Sequence, residues 1–353
     1  MDWLSALERE VKVSRDGGTY VARPETYEQV REVVSLANRM GFTLTPAGTR
    51  SHTIGPPRRA DVVLSTLELR GVVEVSRANS FITAKAGTLM EELERRLSED
   101  ELLLPFPYKG TLGGLASVNS PGYFSAWVGF PRNFLLGARL VTGYGSLVLS
   151  GGRTAKFSSG YKIWKSLSGT LGWLGIYVEL TFRTLPEPEE VKVGSFSGDW
   201  RSTLKYRPWG ILYLAHERKW IGVFAGSRNY VRSVSAQLDL TDESLPELEA
   251  SCPRVVGLHV TRGTEAEVLS SLSPEWGVGF VGTGYSRLCT EESEESLRSK
   301  VKGYVVVERG SASEYWGFSS PVLCALKRAL DPQGVLSPGV FDNCLPPSRA
   351  TTY

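Results

Sequence analysis

The sequence predicts an α+β protein of two domains, and three observations carry that expectation. The chain has 353 residues, beyond the size at which one hydrophobic core usually keeps growing. Its first half mixes helical spacings and short strands with glycine-rich loops, whereas its second half alternates strands and helical segments in the order of an antiparallel sheet with helices on one face. Between them, Leu185-Pro186-Glu187-Pro188-Glu189-Glu190 reads as a proline and charge linker. The first domain is therefore expected over 1–186 and a smaller second one over 187–315.

The elements follow from local pattern. Pro24 suits a first helical turn, Val30, Val33, Val34 and Ala37 fall at helical spacing, and Gly41 is the stop. Phe42 to Thr45 form a strand that runs into Pro46-Ala47-Gly48-Thr49-Arg50-Ser51-His52-Thr53-Ile54-Gly55, a loop whose small residues admit close approach of a ligand. Strands are expected over Asp61 to Leu64, Val72 to Val75 and Phe81 to Ala84, with a helix from Leu89 to Leu97. Thr111-Leu112-Gly113-Gly114-Leu115-Ala116-Ser117 is a second small-residue cluster, and Leu135 to Thr142 turn through Gly143-Tyr144-Gly145 into Leu147 to Leu149 as a hairpin. The third cluster, Gly151 to Gly175, surrounds one short helix from Tyr161 to Leu167 and leads into a half-buried strand with Ile176, Val178, Leu180 and Phe182 on its inner face. Later strands lie near Ile211 to Ala215, Trp220 to Ala225, Val255 to Val260, Val278 to Gly282 and Tyr304 to Glu308, and Ala325 to Leu330 is helical.

Composition removes several function classes. Forty Lys and Arg oppose 38 Asp and Glu, for a net charge of +2 with no basic stripe, so no nucleic-acid footprint is expected. No apolar run is long enough for a signal peptide or a spanning helix, which makes a cytoplasmic location the expectation. The four cysteines, Cys252, Cys289, Cys324 and Cys344, show no CxxC pairing and are expected as reduced, mostly buried thiols rather than cluster ligands. Glutamine is confined to Gln29, Gln237 and Gln333 while Arg and Glu abound, a thermophile-like bias.

Three glycine-rich loops at strand ends or helix starts are what a diphosphate requires, because exposed backbone amides donate and a missing Cβ permits close contact. Neither a GxGxxG after a first strand nor a GKS or GKT is present, so Rossmann and Walker sites are excluded. Taken singly, each loop also serves an ordinary tight turn. Their order is what resembles a family. Arg23-Pro24, Pro46 to Gly55, Thr83-Ala84-Lys85-Ala86-Gly87, Thr111-Leu112-Gly113-Gly114 with Asn119 and Gly122, and the block Gly151-Gly152-Arg153, Lys156, Gly160-Tyr161, Leu167, Gly169-Thr170-Leu171-Gly172 and Gly175 are similar to the FAD-binding domain of the vanillyl-alcohol-oxidase, or p-cresol-methylhydroxylase (PCMH), type. The pattern is nearest the FAD-binding subunit of glycolate oxidase. Leu326 to Gly339 resembles that family's terminal motif, which implies that 316–353 returns to the flavin domain.

The resemblance implies a two-subdomain PCMH-type FAD-binding domain with an antiparallel α+β cap, and FAD held by Pro46, Ala47, Gly48, Thr49, Arg50, Ser51, His52, Gly55, Thr111, Gly113, Gly114, Ser117, Asn119, Lys156, Tyr161, Gly169, Thr170, Gly172 and Gly175, with Arg132 also near the flavin. Several positions depart from the family: Ala47 stands where glycine is common, Phe157 and Ser337 replace asparagines, and Lys162 and Asn133 replace aspartates. Some relatives bond flavin covalently through a histidine in the first loop. Here Ser51 precedes His52 and the surroundings fit the glycolate oxidase pattern, so non-covalent FAD is expected and attachment at His52 is the alternative.

Dehydrogenases of this superfamily carry a metal-binding histidine pair and a glutamate–histidine motif in the cap, whereas this chain has only His52, His216 and His259. No resident metal is expected, and His259, between Leu258 and Val260, reads as a core or sheet-face histidine. The aromatics Trp209, Trp220, Trp276, Tyr304, Tyr315 and Trp316 are expected to fill the cap core or a subunit surface. No catalytic residue is assigned. The implied function is that of an FAD-binding subunit acting on a small 2-hydroxy acid, glycolate or D-lactate, in a hetero-oligomer with a second flavin subunit, an iron–sulfur subunit or both, reaching a membrane only through partners. The alternatives are a stand-alone FAD-dependent oxidase of a sugar acid or lactone, and a non-catalytic flavin-binding structural subunit.

Overall fold

The computed structural model describes residues 2–52, 54–153, 161–248, 251–341 and 344. Helix α1 (Trp3–Glu10) and the hairpin β1 (Lys12–Asp16) and β2 (Thr19–Arg23) precede everything the sequence reading identified. Helix α2 (Tyr27–Met40) starts three residues after Pro24. Its cap is Thr26, whose hydroxyl accepts from the Gln29 N–H while the Gln29 side chain reaches back, a reciprocal capping box. Gly41 ends it in the left-handed region. Strands β3 (Leu44–Ala47) and β4 (Val62–Ser65) complete a four-stranded sheet of order β1-β2-β4-β3.

A five-stranded antiparallel sheet follows. It is built from β5 (Val72–Ser76), β6 (Phe81–Lys85), β8 (Leu135–Thr142), β9 (Leu147–Gly151) and β10 (Gly175–Arg183), in the order β5-β6-β10-β8-β9. Between its strands lie α3 (Met90–Ser98), the short β7 (Leu102–Leu103), α4 (Leu112–Val118), α5 (Ser125–Val128), α6 (Pro131–Phe134) and α7 (Ile163–Ser166). The strict alternation expected along β10 fails. A β-bulge between Tyr177 and Glu179 changes its phase. Ile176 and Val178 join the core under α2, whereas Tyr177, Leu180 and Phe182 join the core under α3 and α4, so the strand is buried on both faces.

The expected linker is not free chain. Leu185–Pro186 form β11 and pair with β7, and β12 (Glu190–Phe196) starts at once. An eight-stranded antiparallel sheet then comprises β12, β13 (Gly210–Leu214), β14 (Lys219–Gly226), β15 (Thr241–Asp242), β16 (Val255–His259), β17 (Trp276–Phe280), β18 (Tyr285–Cys289) and β19 (Tyr304–Arg309), with order β15-β12-β14-β13-β17-β18-β16-β19. A 3-10 helix (Trp200–Tyr206) and helices α8 (Arg228–Leu238), α9 (Glu265–Leu272) and α10 (Glu294–Lys300) connect these strands. One sheet face buries Ala266 and Leu269 of α9 and Leu297 of α10. The other packs Leu212, Val278, Phe280 and Tyr285 against Tyr123 and Phe130, which flank α5. The fold is the α+β architecture that the sequence predicts, with an antiparallel sheet in its second half.

The cysteines correct the sequence reading. Cys252 is bonded to Cys289 and Cys324 to Cys344, with Cα–Cα separations of 6.1 and 4.8 Å, inside the range a disulfide spans. Sequence spacing conceals this because the partners lie 37 and 20 residues apart and meet only when β16 pairs with β18 and when the tail folds back on α11 (Pro321–Leu330).

After α11 the chain reaches the first sheet. The Leu44 N–H donates to Val335 O at 2.8 Å and the Ser337 N–H to Leu44 O at 2.7 Å. The turn is set by a fully buried ion pair in which Lys327 Nζ donates to Asp331 Oδ2 at 2.7 Å, Trp173 O at 2.6 Å and Leu336 O at 2.9 Å. Asp331 in turn accepts the N–H groups of Val335 and Leu336. Removing one member of a buried pair strands the other charge, at a cost of about 3–5 kcal/mol. Lys327→Met is therefore expected to lower the urea midpoint by a corresponding amount, and an unchanged midpoint would show that the pair does not hold the tail.

Candidate functional site

A trough of about 380 Å³ runs between the first and second sheets. One wall is the end of β3 and the loop after it, from Thr45 to His52, with Arg58, Ala60 and Val63. The opposite wall is Ala86, Tyr108 and the start of α4, with Thr111, Gly113, Gly114, Ser117 and Val118. Leu171, Gly172 and the β10 residues Gly175, Ile176 and Tyr177 close it, and Asp16 and Thr19 of the β1–β2 hairpin stand at its edge. Among residues singled out from the sequence, Pro46 to His52, Thr111, Gly113, Gly114, Ser117, Gly172 and Gly175 are brought together here.

The three glycine loops touch, and the glycines are required where they do. A Cβ on Gly48 would lie 2.4 Å from Thr111 Oγ1, and one on Gly172, whose φ is +78°, would lie 2.3 Å from Pro46 Cγ. Thr111 is the N-cap of α4, its hydroxyl accepting from the Gly114 N–H at 3.1 Å, while the Gly113 N–H donates to Ala86 O at 2.8 Å. Arg50, Asn119 and Leu171 take left-handed φ values of 58°, 55° and 57°. Such backbone is held only where surroundings enforce it.

The main-chain N–H groups of Thr49, Arg50, Ser51 and Gly172 meet no acceptor among the described residues. A folded chain satisfies nearly all such donors, so these are available to a ligand or to water. That donor set fits an anionic, oxygen-rich group such as a diphosphate. Charge at the trough is sparse. Arg50 pairs with Asp16 at 3.3 Å across the edge, and burial, with no carboxylate among the described residues to offset it, lowers the Arg58 pKa to about 10. The His52 ring stacks on Tyr108 with centroids 4.4 Å apart, and its Nδ1 lies 3.2 Å from Ser51 Oγ. Tyr177 donates to Trp164 O, and burial pushes its phenol up, so it stays neutral.

Other sequence-selected residues lie off the trough. Gly55 packs on Trp316 and donates its N–H to Glu308 O at 2.9 Å, tying the loop to β19. Asn119 is the left-handed C-cap of α4 and accepts the Arg132 N–H at 2.9 Å. Gly169 sits against Asn119, and the Thr170 hydroxyl donates to Leu167 O, so both shape the turn behind Gly172. Tyr161 is 88% exposed, and Lys156 lies outside the described residues. His259 is beside Tyr285, its pKa lowered by burial against the raising effect of Glu308. Among the described residues no group of three or more His, Cys, Asp or Glu could hold a metal, and no helix is long and apolar enough to cross a membrane. Sequence reasoning missed Asp16, Thr19, Arg58, Tyr108 and Tyr177. Leu171 stood inside a matched motif and was the one signal that could have extended the set.

Residues 19–151 match the family described as FAD binding domain. This segment is an FAD binding domain. FAD is accordingly its cofactor, and the segment supplies both the first loop and α4 of the trough. The D-lactate dehydrogenase of Anaerostipes hadrus is 29% identical over 182 residues, 48% of this chain and 38% of that protein. Glycolate oxidase subunit GlcE of Escherichia coli (strain K12) is 33% identical over 124 residues, 34% of this chain and 35% of that protein. The matches thus span well under half of either relative. Two crystal forms of alkyldihydroxyacetonephosphate synthase superpose with TM-scores of 0.62 and 0.63, at 16% and 17% identity, covering 90% of this chain and 76% and 75% of theirs. That likeness is one of fold.

The capping geometry around the FAD binding domain's second loop is testable by itself. Thr111→Ala removes the α4 cap and is expected to cost about 1 kcal/mol of stability, read as a lower denaturation midpoint, whereas Thr111→Ser is expected to restore most of it. Equal losses in the two variants would mean that the methyl packing, not the hydroxyl, matters.

Proposed function

We propose that the chain is the FAD-carrying subunit of an oxidoreductase acting on the CH–OH group of a small 2-hydroxy acid, glycolate or D-lactate, and that it passes electrons to an iron–sulfur partner. The observation that carries this reading is the meeting of three glycine turns around unpaired main-chain donors, within and just beyond the matched FAD binding domain. The substrate class is supported by relatives named D-lactate dehydrogenase and glycolate oxidase subunit, and the word subunit supports a multi-subunit assembly. Residues 1–186 and 316–353 make up the flavin-carrying part in this reading, and 187–315 the cap.

When bound, FAD supplies the two-electron acceptance that oxidation of a hydroxyl-bearing carbon needs. The chain supplies placement. The amides of Thr49 to Ser51 and of Gly172 hold the diphosphate, the Gly113-Gly114 turn leaves room beside it, and Tyr177 offers a neutral buried wall. FAD is non-covalent, with His52 occupied by its stack on Tyr108 and its contact with Ser51. A cytoplasmic location fits two disulfides if the source is a hyperthermophile, where intracellular disulfides persist, and the glutamine-poor composition agrees.

The purified chain is expected to be yellow, to give an apoprotein mass after denaturation, and to bleach with glycolate or D-lactate only when partner subunits are restored. Bleaching by the isolated chain with peroxide release would replace this reading with a stand-alone oxidase. A chain that releases no FAD on heating and shows no covalent adduct would replace it with a structural subunit.

A further inference from the structure

The trough holds one full charge that no carboxylate among the described residues answers. Its edge pair, Arg50 and Asp16, cancels. Arg58 lines the trough deeper in, partly buried, and meets no carboxylate among the described residues. Its guanidinium is instead fixed by two main-chain oxygens of its own loop, Nη1 donating to Pro56 O at 2.5 Å and Nη2 to Ile54 O at 2.7 Å. Those bonds use part of the guanidinium fork and leave its remaining N–H donors for another acceptor. A desolvated cation without an anion is costly, and a folded chain retains one where a ligand supplies the anion. A guanidinium fork matches phosphate oxygens in geometry as well as charge.

We propose that Arg58 is the fixed counter-charge for the diphosphate of FAD, and that it makes the trough select a phosphate-bearing nucleotide over the uncharged flavin. The proposal rests on FAD occupying the trough. Main-chain amides orient the diphosphate, and Arg58 supplies the integral positive charge that amides lack. Ile54 and Pro56 hold the side chain in place before the ligand arrives, so little rotamer freedom is lost on binding.

The test is direct binding to the flavin-stripped full chain, with FAD, ADP, riboflavin and adenosine as probes at two salt concentrations. Arg58→Gln keeps donors for the loop carbonyls but removes the charge, and Arg58→Lys keeps the charge without the fork. Arg58→Gln is expected to weaken FAD and ADP at least about tenfold, to leave riboflavin and adenosine nearly unchanged, and to flatten the salt dependence of FAD binding. Arg58→Lys is expected to recover part of the loss. Equal weakening for all four probes, or unaltered ADP binding with a lowered thermal midpoint, would overturn the proposal and make Arg58 a brace for the loop. A wild-type chain that binds riboflavin but neither FAD nor ADP would instead overturn diphosphate binding in the trough, and this proposal with it.

Discussion

The buried pair of Lys327 and Asp331 fixes more of this molecule than its short span suggests. Lys327 reaches Trp173 O on one side and Leu336 O on the other, while Asp331 accepts the next two N–H groups of the returning tail. Trp173 follows Leu171 and Gly172, which close the trough, and Leu336 runs beside β3, which delivers the first glycine loop. One ammonium therefore holds two trough walls against each other. Asp331 also packs where any Cβ on Gly143 would fall, 2.2 Å away, so the β8–β9 hairpin is locked to the same point. Buried ion pairs are poor sources of net stability, yet removing one partner is costly because it leaves the other charge uncompensated.

Against that frame the glycines have separate duties. Gly48 and Gly172 let two loops touch a third without side chains between them, whereas Gly41 ends a helix and Gly55 admits Trp316. What remains between the walls is a surface rich in backbone donors and poor in charge. Such a surface suits a long ligand with one concentrated anionic segment and uncharged rings to either side.

The glycine loops and the strands that deliver them were legible because local spacing encodes them. Gly41 stops its helix as expected, and Thr111-Leu112-Gly113-Gly114 opens α4. The Thr26 and Gln29 capping box was equally local and lay in plain view behind Pro24. Other features live in tertiary contacts. The bulge at Tyr177 has no sequence signature, and the disulfide partners meet only after sheet pairing and the return of the tail. Arg58 is one of two adjacent arginines in a loop, and what marks it out is its place in the trough with no carboxylate partner among the described residues. Tyr161, which its motif places near the flavin, has a largely exposed side chain outside the residues that line the trough.

The central claim is that main-chain donors at the joined glycine turns grip FAD. Amide hydrogen exchange, compared with and without FAD, addresses those donors one by one. The account predicts slowed exchange at Thr49, Arg50, Ser51 and Gly172, with little change across the eight-stranded sheet. Unchanged exchange at those four amides, with protection appearing within 187–315 instead, would contradict it.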